Sequence, residues 1–463
     1  MLQPVYQADV VIVGAGVAGL AAAHRLTSAG ITTAVLEAAP YVGGRMSTEK
    51  VDGFRLDRIG QLLSTAYPEL HLTPGLDSLV LRSFAPGVLI HSEGRRHRAG
   101  APVGGGGAGG ARTALSAVRA LAAVPRTASA PRPVSGTGLG RTARSLANGS
   151  RAAGIVAPLR LRAELARIAT TPVERLLARP ESAARHALAA RGIPARAVDG
   201  FLRPLLAALL CDPELTTSSR CADLALRSFA TGRLCMPEGG ADVLPELLAR
   251  ALPPGTVHTG VRATSVSTTS VTTAEHGELR CQAVLLATDA SAAAELLPGL
   301  RVPDFHPVTV VHHTMEEPPS TGASLLLDAD RDGPVAHTAV VSLVDPSRAP
   351  VGRALVSSTV LGMPPDDVDG AVRAHLARLY GTSTTRWETL AVHHTARAVP
   401  AMRPPHDLRR PVRLLAGLYV CGDHRDTSTV QGALHSGRRA ASALLADLGA
   451  GPTRLADPLP TAA

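Results

Sequence analysis

The first forty residues alternate between apolar runs and short breaks. The run at residues 9–13 (DVVIV) predicts a strand that is buried on both faces, as in a parallel sheet. Glycines interrupt it, and the Ala-rich stretch that follows predicts a helix to about Ala29, with Gly30 as its stop. A second apolar run at residues 32–36 predicts the next strand. Strand, glycine turn, helix and strand together are typical of a parallel α/β unit.

A similar pattern closes the chain. Residues 418–421 (LYVC) predict a short buried strand that ends at Gly422-Asp423. A Ser/Thr-rich loop follows, and then a helix from about Gln431 to Leu448 that Gly449 stops. Both ends of the chain therefore predict a strand that feeds a helix through a loop.

The middle of the chain is less regular. Residues 98–152 show no periodicity and predict an irregular connection. A capping box at Thr171-Pro172-Val173-Glu174 predicts a helix to about Ala178. Further helices are predicted at 181–190 and at 194–210, the latter with a kink at Pro204. Residues 305–345 and 353–362 predict a mixed sheet.

Composition narrows the class of protein. The 463 residues are 45% hydrophobic and 18% charged, which predicts a globular protein of two or three domains. We find no run of about 20 apolar residues for a membrane span, and the early first strand leaves no room for a signal peptide. We therefore expect a cytoplasmic protein. Five scattered cysteines indicate neither a disulfide framework nor a zinc site.

The net charge of +9 is carried almost entirely by arginine, because Lys50 is the only lysine. A nucleic-acid-binding protein would need clustered basic residues with interleaved aromatics. Aromatic residues make up only 2% of this chain, so we expect no nucleic acid as partner. A peripheral membrane contact stays open.

The glycines after the first strand have the spacing of a phosphate-binding turn. They belong to Gly14-Ala15-Gly16-Val17-Ala18-Gly19, which opens the first helix. Glu37 follows Gly19 by 18 positions and ends the second strand, where a carboxylate can bind the ribose hydroxyls of an adenosine. The helix N-terminus supplies N–H groups and positive potential for a diphosphate. These features predict dinucleotide binding.

Further positions favour FAD over a nicotinamide. After Glu37, the stretch from Ala38 to Gly43-Gly44-Arg45 offers close backbone approach and a guanidinium for the diphosphate. Gly60-Gln61 is another point of backbone approach. At the other end of the chain, Asp423 can bind a polyol. The helix start with Val430, Gln431 and Ala433 can face a flavin ring that gains negative charge on reduction.

One dinucleotide unit is expected. Glycine-rich stretches at 104–110 and 136–140 follow no apolar strand, so they predict linkers. A reductase that uses both nicotinamide and flavin would need a second unit.

Together these motifs resemble the flavin-containing amine oxidase superfamily, which includes protoporphyrinogen oxidases and phytoene desaturase-like enzymes. They are GAGVAG with Glu37, GGR at 43–45, and GD at 422–423 followed by QGALHSGRRAA. The resemblance covers about residues 1–65, 230–300 and 385–449. Within it, the stretch 257–266 is similar to a strand whose backbone meets adenine, at Val261.

The resemblance implies an α/β fold: a Rossmann-like FAD-binding domain of the GR2 type with a discontinuous α+β substrate domain. Its FAD-binding parts would be residues 1–97, 230–300 and 401–463. The substrate domain would comprise residues 98–229, a linker with helices, and the sheet at 301–400. We expect FAD to be bound non-covalently.

Candidates for catalytic groups are few, and we assign none. His312-His313 and His393-His394 lie on predicted strands, where neighbours point to opposite faces, so neither pair can chelate one metal. We expect no metal site, and we expect these histidines at the solvent face of their strands. His424 and Asp426 are nearer to the predicted flavin loop, and Cys421 is expected to be a small buried residue.

Two departures from amine oxidases bear on the substrate. Amine oxidases are expected to have an aromatic residue just before the last helix, but the matching position here is about Thr429. They are also expected to have a lysine linked through water to the flavin, but the only lysine here lies in the predicted FAD domain. We therefore favour dehydrogenation of a hydrophobic small molecule at a C–C bond, with oxygen or another acceptor taking the electrons. Amine oxidation at a C–N bond, a flavin-binding protein without turnover, and a nicotinamide-dependent dehydrogenase are the alternatives. Trp387 is expected in the core.

Overall fold

The computed structural model describes residues 8–100, 161 and 163–449. The predicted irregular connection at 98–152 lies outside these residues from position 101 onward, as do both glycine-rich linkers. The strands are β1 (Val10–Val13), β2 (Thr33–Glu37), β3 (Thr48–Val51), β4 (Phe54–Asp57), β5 (Leu63–Ser64), β6 (Leu81–Ser83), β7 (Val88–Ser92), β8 (Arg95–Ala99), β9 (Leu234–Pro237), β10 (Val257–Thr259), β11 (Ala263–Val266), β12 (Ser270–Thr273), β13 (Gly277–Arg280), β14 (Ala283–Leu286), β15 (Phe305–Met315), β16 (Leu326–Asp328), β17 (Val335–Val340), β18 (Ala354–Leu361), β19 (Glu388–Pro400), β20 (Arg413–Leu415) and β21 (Leu418–Val420).

The helices are α1 (Val17–Ser28), α2 (Glu69–Leu72), α3 (Val173–Leu177), α4 (Ala184–Ala190), α5 (Ala195–Ala197), α6 (Arg203–Leu210), α7 (Ser219–Thr231), α8 (Val243–Arg250), α9 (Ala290–Leu296), α10 (Val341–Val344), α11 (Val368–Tyr380) and α12 (Val430–Asp447). A π-helix spans Val198–Leu202, and 3-10 turns span Pro346–Arg348 and Asp423–Arg425. Residues 163–170 are also helical. None of the helices in the described part of the chain is both long and apolar enough to cross a membrane.

The first sheet has the order β10-β2-β1-β14-β21-β20, and all its strands are parallel except the edge strand β20. Alternate residues of its central strands enter two different cores. Val10 and Ile12 face α1, α8 and α12, whereas Val11 and Val13 face the small sheet β11-β12-β13. Apolar side chains on both faces explain the unbroken apolar runs of the sequence.

The helices at the two ends of the chain pack directly on each other. A Cβ atom at Gly437 of α12 would lie 2.1 Å from the carbonyl oxygen of Ala18 in α1. The absence of a side chain at Gly437 therefore lets the two backbones touch. This contact joins the first and last α/β units into one layer on the parallel sheet.

The second large sheet has the order β19-β15-β18-β17-β16-β7-β8. It is antiparallel apart from the parallel pair β7 and β16. The predicted mixed sheet is thus confirmed. The β7–β8 hairpin, which falls largely in the segment predicted as the first FAD-binding part, joins this sheet.

Three local predictions need correction. The stretch 257–266 forms two strands, because Gly260 has a φ of +72° and the chain turns from β10 into β11 of another sheet. The capping box is absent: Pro172 takes the cap position of α3, and the hydroxyl of Thr171 donates to the carbonyl of Arg167. The kink expected at Pro204 is a π-helical turn just before it, since proline lacks the N–H that would bond to Gly200.

The adjacent histidines of β15 are also placed differently from expectation. His312 and His313 are almost fully buried, because both faces of the second sheet are covered. His312 donates from Nε2 to the carbonyl of Asp57, while His313 contacts Asp369 of α11 at 3.0 Å. The solvent-facing position predicted for them is therefore wrong, whereas the exposed His394 agrees with it.

Buried histidines make the stability of this fold depend on pH. Burial lowers the pKa of His312 and His337 to about 4, whereas an unfolded imidazole titrates near pH 6.5. Between about pH 6.5 and pH 4 the unfolded chain binds protons that the folded chain does not, so the free energy of unfolding falls as the pH falls.

We expect His337→Leu to flatten this decline in urea unfolding, because the Nδ1 atom of His337 has no hydrogen-bond partner to lose. The exposed His71 offers a control, and His71→Leu should keep the slope of the parent protein.

Candidate active site

The carboxyl ends of four parallel strands meet at one edge of the first sheet. Backbone bonds align them: Gly14 N–H donates to Leu36 at 2.7 Å, Ala287 N–H to Val13 at 2.8 Å, and Cys421 N–H to Leu286 at 2.8 Å. The segments that follow β1, β2, β14 and β21 therefore lie side by side. Ligands of open parallel sheets bind at this kind of edge.

A cavity of about 740 Å³ lies along this edge. Sixteen of the predicted cofactor residues line it: Gly14, Gly16, Val17, Ala18, Glu37, Ala38, Gly43, Gly44, Arg45, Gly60, Gln61, Val261, Gly422, Asp423, Val430 and Ala433. Glu37 and Asp423, which lie far apart in sequence, thus share one cavity.

Three predicted residues do not line the cavity. Ala15 lies behind it, and its N–H donates to Oε2 of Glu37 at 2.9 Å. Gly19 permits close packing, because a Cβ there would lie 2.1 Å from the Gly14 carbonyl oxygen. Gln431 points away, and its Oε1 accepts a hydrogen bond from the N–H of Glu69 at 3.0 Å.

The Glu37 carboxylate is held from both sides. Oε2 accepts from the N–H of Ala15 and Oε1 accepts from the N–H of Ala39, each at 2.9 Å. Val261 donates its N–H to the Glu37 carbonyl at 2.9 Å. Both carboxylate oxygens therefore have a fixed direction and retain lone pairs that can accept from a diol.

The glycine turn leaves room for a ligand. A Cβ built on Gly16 would meet no atom within 4 Å, and the same is true at Gly44. No side chain caps the N-terminus of α1, so its N–H groups and positive potential can act on an anion. Open space and unpaired donors at one helix end fit a diphosphate.

Arg45 and Asp423 lie beside each other at the cavity wall. Nη2 of Arg45 is 2.6 Å from Oδ1 of Asp423, and Nη1 donates to the Ala398 carbonyl at 2.8 Å. Burial lowers the pKa of Arg45, but Asp423 raises it by more, so the guanidinium is charged. This pair places one positive and one negative group within reach of a diphosphate and a polyol.

The other residues near Asp423 have structural roles. His424 is buried and does not line the cavity; burial lowers its pKa to about 4, so it is neutral at pH 7. Asp426 also lies outside the lining, and its carboxylate contacts His435 at 2.8 Å. Burial raises the pKa of the Cys421 thiol to about 12, in agreement with a small buried residue.

A second part of the lining, which we term the apolar end, consists of Ile59, Leu62, Met236, Ala398 and Val430. Gln61 ties this part to the loop before α12, since its Nε2 donates to the Ser428 carbonyl at 3.1 Å. Sequence reasoning did not identify Met236 or Ala398. Pairing of β9 with β6 and of β19 with β15 brings them to the site, and no local motif marks such pairing.

Asp57 also lines the cavity, and its carboxylate is engaged through one oxygen, Oδ1. Its Oδ1 is 2.9 Å from Nη1 of Arg348 and accepts from the N–H of Ala241 at 2.9 Å. Burial raises the pKa of Asp57, but Arg348 outweighs that effect and holds it below its usual value. The buried Arg348 also contacts Asp345 at 3.1 Å and the Pro237 carbonyl at 3.2 Å.

Aromatic side chains are missing from the described lining of the cavity. Thr429, at the predicted aromatic position, lines the cavity and caps α12 by accepting from the N–H of Gly432 at 3.1 Å. Trp387 packs in the core beside Tyr380 and His313, as predicted. Lys50 is exposed on β3 and does not line the cavity.

Comparison with known proteins identifies the family. A family profile described as "Flavin containing amine oxidoreductase" matches residues 17–445, which is most of the chain. The chain belongs to this family. The expected resemblance to the flavin-containing amine oxidases is thus confirmed.

Individual relatives are less similar. The putrescine oxidase of Kocuria rosea is 44% identical over 94 residues, which is 19% of this chain and 19% of the relative. Polyamine oxidase 1 of Oryza sativa subsp. japonica is 53% identical over 51 residues, 10% of each chain. The matches thus span at most about a fifth of the length of these relatives.

Solved structures share the whole fold. A putrescine oxidase structure bound to putrescine has a TM-score of 0.62 at 20% identity and covers 96% of this chain and 100% of that one. A putative protoporphyrinogen oxidase from Exiguobacterium sp. 255-15 has a TM-score of 0.64 at 17% identity, over 95% and 98% of the two chains. The predicted α/β fold class is confirmed.

Substitutions at two glycines of the first turn should affect flavin binding and protein stability separately. We expect Gly16→Val to lower flavin content about tenfold or more, because its side chain would fill the open cradle. The thermal unfolding temperature of the flavin-free protein should fall only slightly, because valine is a poorer N-cap residue of α1 than glycine. In contrast, Gly19→Ala should lower the unfolding temperature, since its Cβ would overlap the Gly14 carbonyl. Equal flavin content in Gly16→Val and the parent chain would argue against a diphosphate at this turn.

A substitution at Glu37 tests the adenosine end. In Glu37→Gln, the amide NH₂ must face the N–H of either Ala15 or Ala39, and the charged acceptor is lost. A hydrogen bond to a charged group contributes about 1.5–3 kcal/mol, so we expect FAD to bind about 10–100-fold more weakly in equilibrium titrations. The exposed Glu278 provides the matched control, and Glu278→Gln should bind FAD as tightly as the parent protein.

Proposed function

We propose that the enzyme dehydrogenates a hydrophobic small molecule at a C–C bond, as in a desaturase. The observation that supports this proposal is the lining of the apolar end, where the described residues include no aromatic cage and no lysine. Asp57, an acidic side chain of the same cavity, is engaged at Oδ1 by Arg348, Thr48 and Ala241. A neutral apolar substrate can enter such a surface without leaving a charge unpaired.

We propose that the predicted residues divide the binding of FAD among them. The N-terminus of α1 and Arg45 would hold the diphosphate, Glu37 the ribose, and Asp423 the polyol. The start of α12 would face the ring. When bound, FAD supplies the two-electron acceptor that takes a hydride from a substrate carbon.

The chain's own residues would orient the substrate and exclude water. Ile59, Leu62, Met236 and Val430 offer flexible and branched apolar surface without a hydrogen-bonding group. Desolvation of the reacting carbon and a fixed approach direction are the contributions that such a surface can make. No side chain is assigned as general base. The proposal includes a cytoplasmic location for the protein, electron transfer from the flavin to oxygen or another acceptor, and a peripheral contact of the protein with a membrane.

Oxidation of a C–N bond is the second candidate, and one observation favours it. Asp57 and Asp345 share the single cation Arg348, so this group carries one excess negative charge beside the cavity. Such a charge would stabilise a nearby ammonium group.

Anaerobic reduction of the bound flavin distinguishes these candidates. We expect a neutral polyene to bleach the visible absorbance of the oxidised flavin, and an aliphatic diamine of the putrescine type and a long-chain monoamine to leave it unchanged. Bleaching by the amines alone would favour the second candidate. If every compound fails while photoreduction of the same sample succeeds, the protein binds flavin without turnover and the proposal is wrong.

A further inference from the structure

A group of metal-ligating side chains lies away from the flavin cavity, on the second sheet. His91 is the last residue but one of β7 and Asp328 ends β16, and the parallel register places these two residues opposite each other. Asp330 follows two positions after Asp328. One ligand atom from each of the three lies within 4.8 Å of the other two.

The distances within the group match a cation site. Nδ1 of His91 is 3.3 Å from Oδ2 of Asp330 and 3.9 Å from Oδ1 of Asp328. For a tetrahedral ion with bonds of about 2.0–2.1 Å, neighbouring ligand atoms lie roughly 3.3 Å apart. Of the two edges that meet at His91, one therefore already has the required length and the other requires a shift of about half an ångström, while the ligand atoms of Asp328 and Asp330 lie within 4.8 Å of each other.

One buried atom of the group, Nδ1 of His91, lacks a hydrogen-bond partner, and His91 is only 8% exposed. Asp328 is 5% exposed, and its Oδ1 accepts from the N–H of Asp330 at 3.2 Å. Buried polar atoms normally have a partner, and an ion is one way to supply it. Asp328 also lines a second cavity, of about 310 Å³, which offers an ion a path to the group.

The surrounding residues hold the side chains of this group in place by hydrogen bonds but do not neutralise the negative charge of its two carboxylates. Ser92 Oγ and the N–H of Glu93 donate to Asp330 at 3.2 and 2.9 Å. The N–H of Val335 donates to Nδ1 of His375, so the Nε2 atom of His375 carries its proton and faces Asp328 Oδ2 at 3.4 Å. Among the described residues, neither carboxylate forms an ion pair with an arginine.

From this geometry we propose that His91, Asp328 and Asp330 bind a divalent first-row transition-metal cation, with Zn²⁺ the best fit. One imidazole and two carboxylates suit such an ion and leave a fourth position for water. His375 is a positioning residue that orients Asp328. The ion would join the end of β16 to the β7–β8 turn and to α11, so its role is to stabilise the second sheet.

Calorimetric titration of the flavin-loaded protein with ZnCl₂, after treatment with a chelator, tests the site. We expect one Zn²⁺ to bind per chain and to raise the temperature of thermal unfolding. Asp330→Asn should weaken binding by more than about 100-fold and His375→Gln by about 10–100-fold. MnCl₂ should bind more weakly than ZnCl₂, and MgCl₂ should bind least.

The exposed Asp332 lies on the same loop, and Asp332→Asn is the matched control, which should bind Zn²⁺ like the parent protein. Unchanged flavin absorbance in every variant will show that each one is folded. If the parent chain binds no Zn²⁺, or if Asp330→Asn binds it equally well, the group is an imidazole–carboxylate ion pair and the proposal is overturned.

Discussion

The parallel pairing of β1 with β2 on one side and β14 on the other is the constraint on which the site depends. Val13 lies opposite both Leu36 and Leu286, so the ends of the three strands lie within one residue of each other. Gly14 and Glu37 therefore become neighbours despite their separation in sequence. A shift of one residue in either pairing would turn alternate side chains to the wrong core, and a shift between β1 and β2 would also move Glu37 away from the N–H of Ala15.

Much of this first unit could be predicted from the sequence, because its signals are local. The apolar run, the glycine turn and the helix stop at Gly30 each depend on a few consecutive residues, and the structure agrees with them within about one residue. The same holds for the strand and the helix that end the described chain. The residues predicted to bind the cofactor fall on these units, and this is why so many of them line one cavity.

Features that depend on distant pairing could not be predicted in the same way. Met236 and Ala398 reach the cavity through pairing of β9 with β6 and of β19 with β15, whose partners are distant in sequence. His312 and His313 looked like solvent-facing residues, because nothing nearby shows that both faces of their sheet are covered. Gln431 belongs to the correct helix start, but a single hydrogen bond to Glu69 turns its side chain away.

The buried Arg348 has a consequence for how the cavity is assembled. It follows a strand of the second sheet, yet it holds Asp57 of β4 and the carbonyl of Pro237 in β9. Separating these segments would leave a buried ion pair broken, at a cost of about 3–5 kcal/mol. Arg348 therefore ties β4 and β9, and with them the cavity residues Asp57 and Met236, to the second sheet.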